Sequence, residues 1–251
     1  MGTHDGKVAI VTGGGRGIGR GIAYALAKQG ASVAIADLDA DNGQTVAAQI
    51  ESDGGRAVAA ACDIRSSAAV NAFVANTVND FGTIDILVNN AMAADVGVAI
   101  QDIEDASIEL ALSTGPAATL YFMRACYPHL LGDGRVVNLR SGSEIQGLVG
   151  YTSYIAAKAA VGGITRAAAR EWGRSGITVN AVCPFAMSEA AQAHFDRDPA
   201  MLETIYQTLS IPRTGDPELD IGRAVVFLTA PDAGFITGCT LMVDGGGSFL
   251  G

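Results

Sequence analysis

Short runs rich in alanine and β-branched residues alternate along the chain with longer stretches in which apolar positions recur once per helical turn. The runs at 7–12 (KVAIVT), 31–37 (ASVAIAD), 56–63 (RAVAAACD), 84–90 (IDILVNN), 134–141 (GRVVNLRS), 176–184 (GITVNAVCP) and 239–246 (CTLMVDGG) predict seven strands. Several are apolar at successive positions, which is the pattern of a parallel strand covered on both faces. Between them lie helical patterns such as Ile18, Ile22 and Leu26. The stretch Asp216-Pro217-Glu218-Leu219-Asp220 reads as a helix start, with an Asp cap, Pro in the first turn and carboxylates near the positive end of the dipole. Alternating β and α elements predict an α/β fold, a parallel sheet doubly wound by right-handed crossovers. No linker or repeat interrupts the pattern, so residues 1–251 are expected to form one domain. The region 185–215 fits the alternation poorly and reads as an insertion covering a ligand site.

Composition narrows the function classes. The formal net charge is -10 and no segment concentrates Lys and Arg, which argues against nucleic-acid binding. Cys62, Cys126, Cys183 and Cys239 are widely spaced, with neither zinc spacing nor a disulfide framework. No metal is expected, and a reduced, cytoplasmic setting fits. The N-terminus lacks the pattern of a signal peptide, and no apolar run is long enough to span a membrane.

The first chemical signal is VTGGGRGIGRGIA, between the first strand and the first helix. Glycines there let the backbone approach a pyrophosphate, and the helix N-terminus presents free N–H groups to the anion. Gly13, Gly15, Arg16, Gly17, Ile18 and Gly19 are therefore expected to hold a dinucleotide. Asp37 ends the second predicted strand, where a carboxylate can accept hydrogen bonds from both ribose hydroxyls of NAD and repel the extra phosphate of NADP. Arg16 pulls the other way, since a cation beside that ribose suits NADP. Asp37 is given more weight, so NAD is expected over NADP.

Taken in order, Thr12-Gly13-Gly14-Gly15-Arg16-Gly17-Ile18-Gly19, Asp63, Asn89-Asn90-Ala91, Ser141, Tyr154-x-x-x-Lys158, Asn180-Ala181-Val182-Cys183-Pro184 and Val243-Asp244-Gly245-Gly246 resemble the short-chain dehydrogenase/reductase family over nearly the whole chain. The resemblance implies a Rossmann-type fold with a seven-stranded sheet, a nicotinamide cofactor, an alcohol or ketone substrate and a homotetramer. It implies Tyr154 as general acid/base, Lys158 as its partner and as holder of the nicotinamide ribose, and Ser141 as donor to the substrate oxygen. The spacing suits this chemistry. One turn separates Tyr154 from Lys158, so both lie on one helix face, and the lysine ammonium with the positive nicotinamide ring would lower a phenol pKa that is otherwise about 10. The same resemblance places Asp63 and Ile64 near the adenine, Asn90 in the cofactor cleft, and Pro184 and Met187 beside the nicotinamide. Ser143, Gln146, Tyr151 and Phe185 are expected in the substrate pocket, with Val149 nearby.

The chain departs from the family pattern. Gly115 stands where the family often has an Asn in the helix before the fifth strand; Pro116 is expected to kink that helix. Met92 replaces the glycine of Asn-Asn-Ala-Gly, and Phe185 replaces the glycine after Pro184; each points either into the core or into the pocket. Arg140 precedes Ser141 where a small residue is common, and Glu144 and Asp95 are its candidate partners. Two alternatives stay open beside an NAD-dependent dehydrogenase: an NADPH-dependent carbonyl reductase and a catalytically silent NAD-binding protein.

Overall fold

The computed structural model describes residues 2–187, 192 and 199–249. Much of the region 188–198, within the expected covering insertion, thus lies outside the described residues. All seven predicted strands are present: β1 (Val8–Thr12), β2 (Ser32–Asp37), β3 (Arg56–Ala61), β4 (Ile86–Asn89), β5 (Arg135–Leu139), β6 (Thr178–Pro184) and β7 (Thr240–Val243). They form one sheet in the order β3-β2-β1-β4-β5-β6-β7, and every pairing is parallel. The last strand is shorter than expected, because Asp244 begins a glycine turn in which the Gly246 N–H donates to the Asp244 carboxylate at 3.1 Å.

Helices α1 (Gly17–Lys28), α2 (Ala40–Ser52), α3 (Ser67–Phe81), α4 (Asp105–Leu112), α5 (Ala118–Leu130), α6 (Ser143–Gln146) and α7 (Thr152–Trp172) fill the crossovers up to β6. Two helical segments, Pro199–Thr208 and Arg223–Thr229, lie between β6 and β7. The absence of polar alternation in the strands is explained by two cores. On one face Val11, Val33, Ile35, Val88 and Val137 pack against Ile22 and Leu26 of α1 and Val225 of the later helix. On the other, Ile10, Leu87, Val136 and Val179 pack against Phe73, Phe122 and Met123. Burying an aliphatic side chain of this size contributes about 1.5–3 kcal/mol.

Asp216 caps the expected helix start, accepting from the N–H groups of Glu218 at 2.8 Å and Leu219 at 2.7 Å. The turn that follows is wider than an α-helix: Pro217–Gly222 is π-helical and leads into Arg223–Thr229. A second π turn, Ser113–Ala117, joins α4 to α5 and contains Pro116. The expected break in the helix is therefore a bulge of five residues rather than a sharp bend, a feature such turns impose where an α-helical hydrogen bond is lost.

The chain leaves β1 towards β2 and β3, then returns to β4 on the other side of β1. The loops after β1 and β4 therefore diverge, and a crevice opens outside their carboxyl ends, where ligands bind in open α/β sheets.

Candidate active site

A cleft of about 600 Å³ occupies that crevice. Its floor is stitched together by polar groups of the two diverging loops. The Thr12 hydroxyl accepts from the N–H groups of Asn90 and Ala91, each at 3.0 Å. The Asn90 amide donates to the carbonyls of Thr12 at 2.9 Å and Gly13 at 3.2 Å. Asn90 lines the cleft while it braces the glycine turn. Gly13 has φ +63°, and a side chain on Gly19 would meet the Gly13 carbonyl at 2.0 Å, so both positions need glycine for different reasons. Gly13, Arg16, Gly17, Ile18 and Gly19 line the cleft as expected. Gly15 acts through its backbone: its N–H donates to the Asp37 carboxylate at 2.9 Å, and a side chain there would meet the same oxygen at 2.8 Å.

At the outer end, Asp37 accepts that bond on one oxygen and a second from the Asp39 N–H at 3.1 Å on the other. A carboxylate has about four acceptor sites, so room remains for two ribose hydroxyls. The residues present thus fit a dinucleotide: bare glycine backbone for the pyrophosphate and an oriented acceptor for the adenosine ribose. Arg16 is exposed at the same end. Asp63 and Ile64 line the cleft too, but Asp63 is engaged by Arg65, whose Nε and Nη2 donate to it at 2.9 and 2.8 Å. That bidentate pair holds the Asp63 carboxyl below its ordinary range.

At the inner end stand Tyr154 and Lys158 of α7. Ser141, just past β5, acts on the Tyr154 phenol to favour its anion, and the Ser141 hydroxyl lies 2.8 Å from that of Ser143. Lys158 is 6% exposed, and its ammonium donates to the Leu139 carbonyl at 2.7 Å. Its nitrogen lies 5.7 Å from the centre of the Tyr154 ring. Burial lowers the Lys158 pKa to about 8. Burial also pushes the Tyr154 phenol above its ordinary value, against the opposing influence of Ser141. Lys158 shares the expected helix face and is itself desolvated and turned to the strand carbonyl, so the lowering expected of the phenol pKa falls to the positive nicotinamide ring as well as to Lys158.

Arg140 borders the cleft and is 8% exposed. Its guanidinium pairs with Glu144, one of the two expected partners, and donates to the Thr240 hydroxyl. Asp95, the other candidate, accepts from Ser107 instead, at 2.6 Å. The Arg140–Glu144 pair brackets the Ser141–Ser143 turn from behind.

Of the remaining expected residues, Pro184 lines the cleft. Tyr151 meets the Tyr154 ring edge-on, with ring centres 6.2 Å apart. Ser143 is buried against Ser141 and presents little surface to a ligand. Gln146 is exposed and donates to the Gly247 carbonyl at 2.6 Å, so its amide is drawn to the C-terminal loop and does not line the cleft. Phe185 and Met187 are half-buried and held by backbone bonds to Gly215, at 3.0 and 3.2 Å. The cleft is also lined by residues the sequence did not single out: Leu38, which is 71% exposed, Arg65, Leu110 and Thr114. Thr114 carried the clearest signal, as a hydroxyl directly before Gly115. It is buried, donates to the Ala93 carbonyl or that of Leu110, both at 2.7 Å, and accepts from the Ala93 N–H at 3.1 Å.

Comparison with known proteins agrees with this architecture. The family model described as enoyl-(acyl carrier protein) reductase matches residues 13–248. The chain is 39% identical over 254 residues to a 12alpha-hydroxysteroid dehydrogenase of a Clostridium species, covering 98% of each chain. It is similar to the crystal structure of a putative short-chain alcohol dehydrogenase from Sinorhizobium meliloti, with TM-score 0.92 and 34% identity over 97% of this chain and 96% of that one. It is equally similar to a short chain dehydrogenase from Burkholderia cenocepacia in complex with NADP, with TM-score 0.91 and 35% identity over 98% of this chain and 99% of that one. A parallel seven-stranded sheet, a glycine-floored crevice at its switch point and full-length similarity to these enzymes make the chain a member of the short-chain dehydrogenase/reductase family, an NAD(P)-dependent oxidoreductase acting on alcohols and ketones.

Proposed function

We propose that the chain interconverts a secondary alcohol and its ketone with NAD(H), using Tyr154 as general acid/base. The observation that carries the reading is the pairing of ends in one cleft: the oriented Asp37 carboxylate at the outer end, and Tyr154 with Lys158 at the inner end, with Ser141 acting on the Tyr154 phenol. The nicotinamide supplies the hydride acceptor or donor at its C4. Ser141 donates to the substrate oxygen and holds the carbinol carbon near that atom, a preorganised donor for charge developing on oxygen. In oxidation Tyr154 takes the hydroxyl proton while the carbon gives up its hydride; in reduction the phenol returns the proton. Burial favours the neutral phenol, so Tyr154 is ready to donate at neutral pH and needs higher pH to accept. Lys158 would hold the nicotinamide ribose and supply positive charge near the phenolate. Ile64 would lie by the adenine, and Pro184 and Met187 by the nicotinamide.

We further propose a ring-borne secondary alcohol as substrate, supported by the hydroxysteroid named for the Clostridium relative and by the aromatic ring of Tyr151 beside Tyr154. The whole chain is read as one domain, with the segment after β6 covering the substrate. Homotetramer formation rests on the family and on an apolar hollow between α5 and α7, lined by Leu120, Tyr127 and Trp172 among others. A cytoplasmic setting is supported by the free thiols, three of them buried; among the described residues no helix is long and apolar enough to cross a membrane. NADPH-dependent ketone reduction is the second reading, favoured by Arg16 and Arg65 at the outer end of the cleft.

The test is NADH formation from NAD and a panel of secondary alcohols running from small acyclic compounds to a 12α-hydroxysteroid. Tyr154→Phe should lower kcat on any accepted alcohol by about 10²–10⁴-fold, the usual contribution of a positioned acid/base. Unchanged turnover in that variant would sink the proposed role.

A further inference from the structure

Two departures from the family pattern, far apart in sequence, meet in space. Gly115 is buried within the π turn Ser113–Ala117. A methyl group placed on it would sit 3.0 Å from the Ala157 Cβ, and 3.5 and 3.6 Å from the Cε and Sδ of Met92. Ala157 is fully buried and directly precedes Lys158 on α7. Met92 lies in the loop after β4 and lines the cleft near Tyr154 and Lys158. The same loop is tied to the π turn through Thr114, whose hydroxyl accepts from the Ala93 N–H at 3.1 Å and reaches the Ala93 carbonyl at 2.7 Å.

We infer that Met92 is a positioning residue whose thioether fills the notch opened by Gly115 and sets how closely α7 approaches the cleft floor at Lys158. The inference rests on the reading of Lys158 and Tyr154 as the working pair. Its physical content is volume. A methyl at 115 rests in ordinary contact with Met92 on one side and presses on Ala157 on the other, so Met92 bars the turn from retreating and a longer side chain competes with it. A methyl–methyl distance of 3.0 Å is well inside ordinary carbon–carbon contact of about 3.5–4.0 Å, so α7 must yield unless Met92 does. Met is suited to the notch because its unbranched, polarizable chain fills irregular gaps. The two residues therefore act as one unit, and neither substitution is read correctly without the other.

The experiment uses the full chain without cofactor or substrate. The chain has only three lysines, Lys7, Lys28 and Lys158. Labelling lysine with 13C at Cε thus gives three resonances, and K158M assigns the buried one. In the native chain that resonance should titrate near pH 8. In G115N, displacement of Ala157 should move the midpoint by about half a pH unit or more, and M92A/G115N should return it towards the native value. Thermal midpoints should follow: M92A and G115N each lower Tm by roughly 5 °C or more, while the double variant melts well above the sum of the two losses. If G115N fails to fold, G115A and M92A/G115A carry the same comparison with a single added methyl. Additive Tm losses with an unmoved Lys158 midpoint would overturn the inference. So would coupled Tm losses without any shift of that midpoint, since Met92 would then be packing only. Failure of the native chain to bind NADH would strike the proposed function and leave this result standing.

Discussion

Replacing Lys158 by Met should make the protein more stable while removing its chemistry. Lys158 is an ammonium held almost wholly out of water, with one carbonyl partner at 2.7 Å and, among the described residues, no carboxylate paired with it. Its pKa falls from 10.5 to about 8 on burial. That shift corresponds to about 3 kcal/mol of destabilisation in the charged form. Met keeps the volume without the charge, at a loss of about 1 kcal/mol for leaving the Leu139 carbonyl without its donor. The net gain at pH 7 is then about 2 kcal/mol, or a Tm higher by about 4–8 °C for a chain of this size. The pH dependence carries the proof. Between pH 8 and 10.5 the unfolded chain binds more protons at this lysine than the native one, so the native protein gains stability as pH rises through that window. The advantage of K158M should therefore shrink by roughly 2 kcal/mol between pH 7 and 9.5 in denaturant unfolding. A variant less stable than the native chain at pH 7, or a difference independent of pH, would refute the reasoning.

Breaking the buried pair behind Ser141 should be costly: R140M leaves the Glu144 carboxylate buried and unpaired, for a loss of about 3–5 kcal/mol, and R140M/E144L should recover most of it in the same unfolding assay. Alcohol oxidation should accelerate as pH rises above neutrality, because burial holds the Tyr154 phenol above its ordinary pKa and the reaction needs its anion. A pH–rate profile on any accepted alcohol reads this directly, and a rate that is flat from pH 7 to 10 would contradict it.

The fold was legible because its strongest sequence signal, apolar runs without alternation, has one physical cause: strands such as Val8–Thr12 are covered on both faces. Asp216 was legible as a cap for the same reason, being a local interaction spanning a few residues. Asp37, Tyr154 and Lys158 fell where spacing put them, since each is fixed to one element next to a glycine turn or one helix face. What the sequence did not announce is set by side-chain partners and packing. Gln146 is drawn to the Gly247 carbonyl across the fold, while Ser143 meets Ser141 within its own turn. The upward push on Tyr154 depends on how deeply α7 is buried, which periodicity does not report. The bulge at Ser113–Ala117 was foreseen only as a kink, because Pro116 reveals that a hydrogen bond is lost but not how the chain absorbs it. The meeting of Met92 and Gly115 was invisible for the plainest reason: a whole helix lies between them in sequence.

The central claim is that Asp37 reads an NAD ribose at one end of the cleft while Tyr154 and Lys158 await substrate at the other. Titration of the purified protein with NADH and with NADPH, followed by nicotinamide fluorescence, tests it most directly. The account predicts NADH binding at least about tenfold tighter, a difference of 1.4 kcal/mol, because the 2′-phosphate of NADPH would face the Asp37 carboxylate. Tighter binding of NADPH would make Arg16 and Arg65 the readers of the cofactor and contradict the assignment of Asp37.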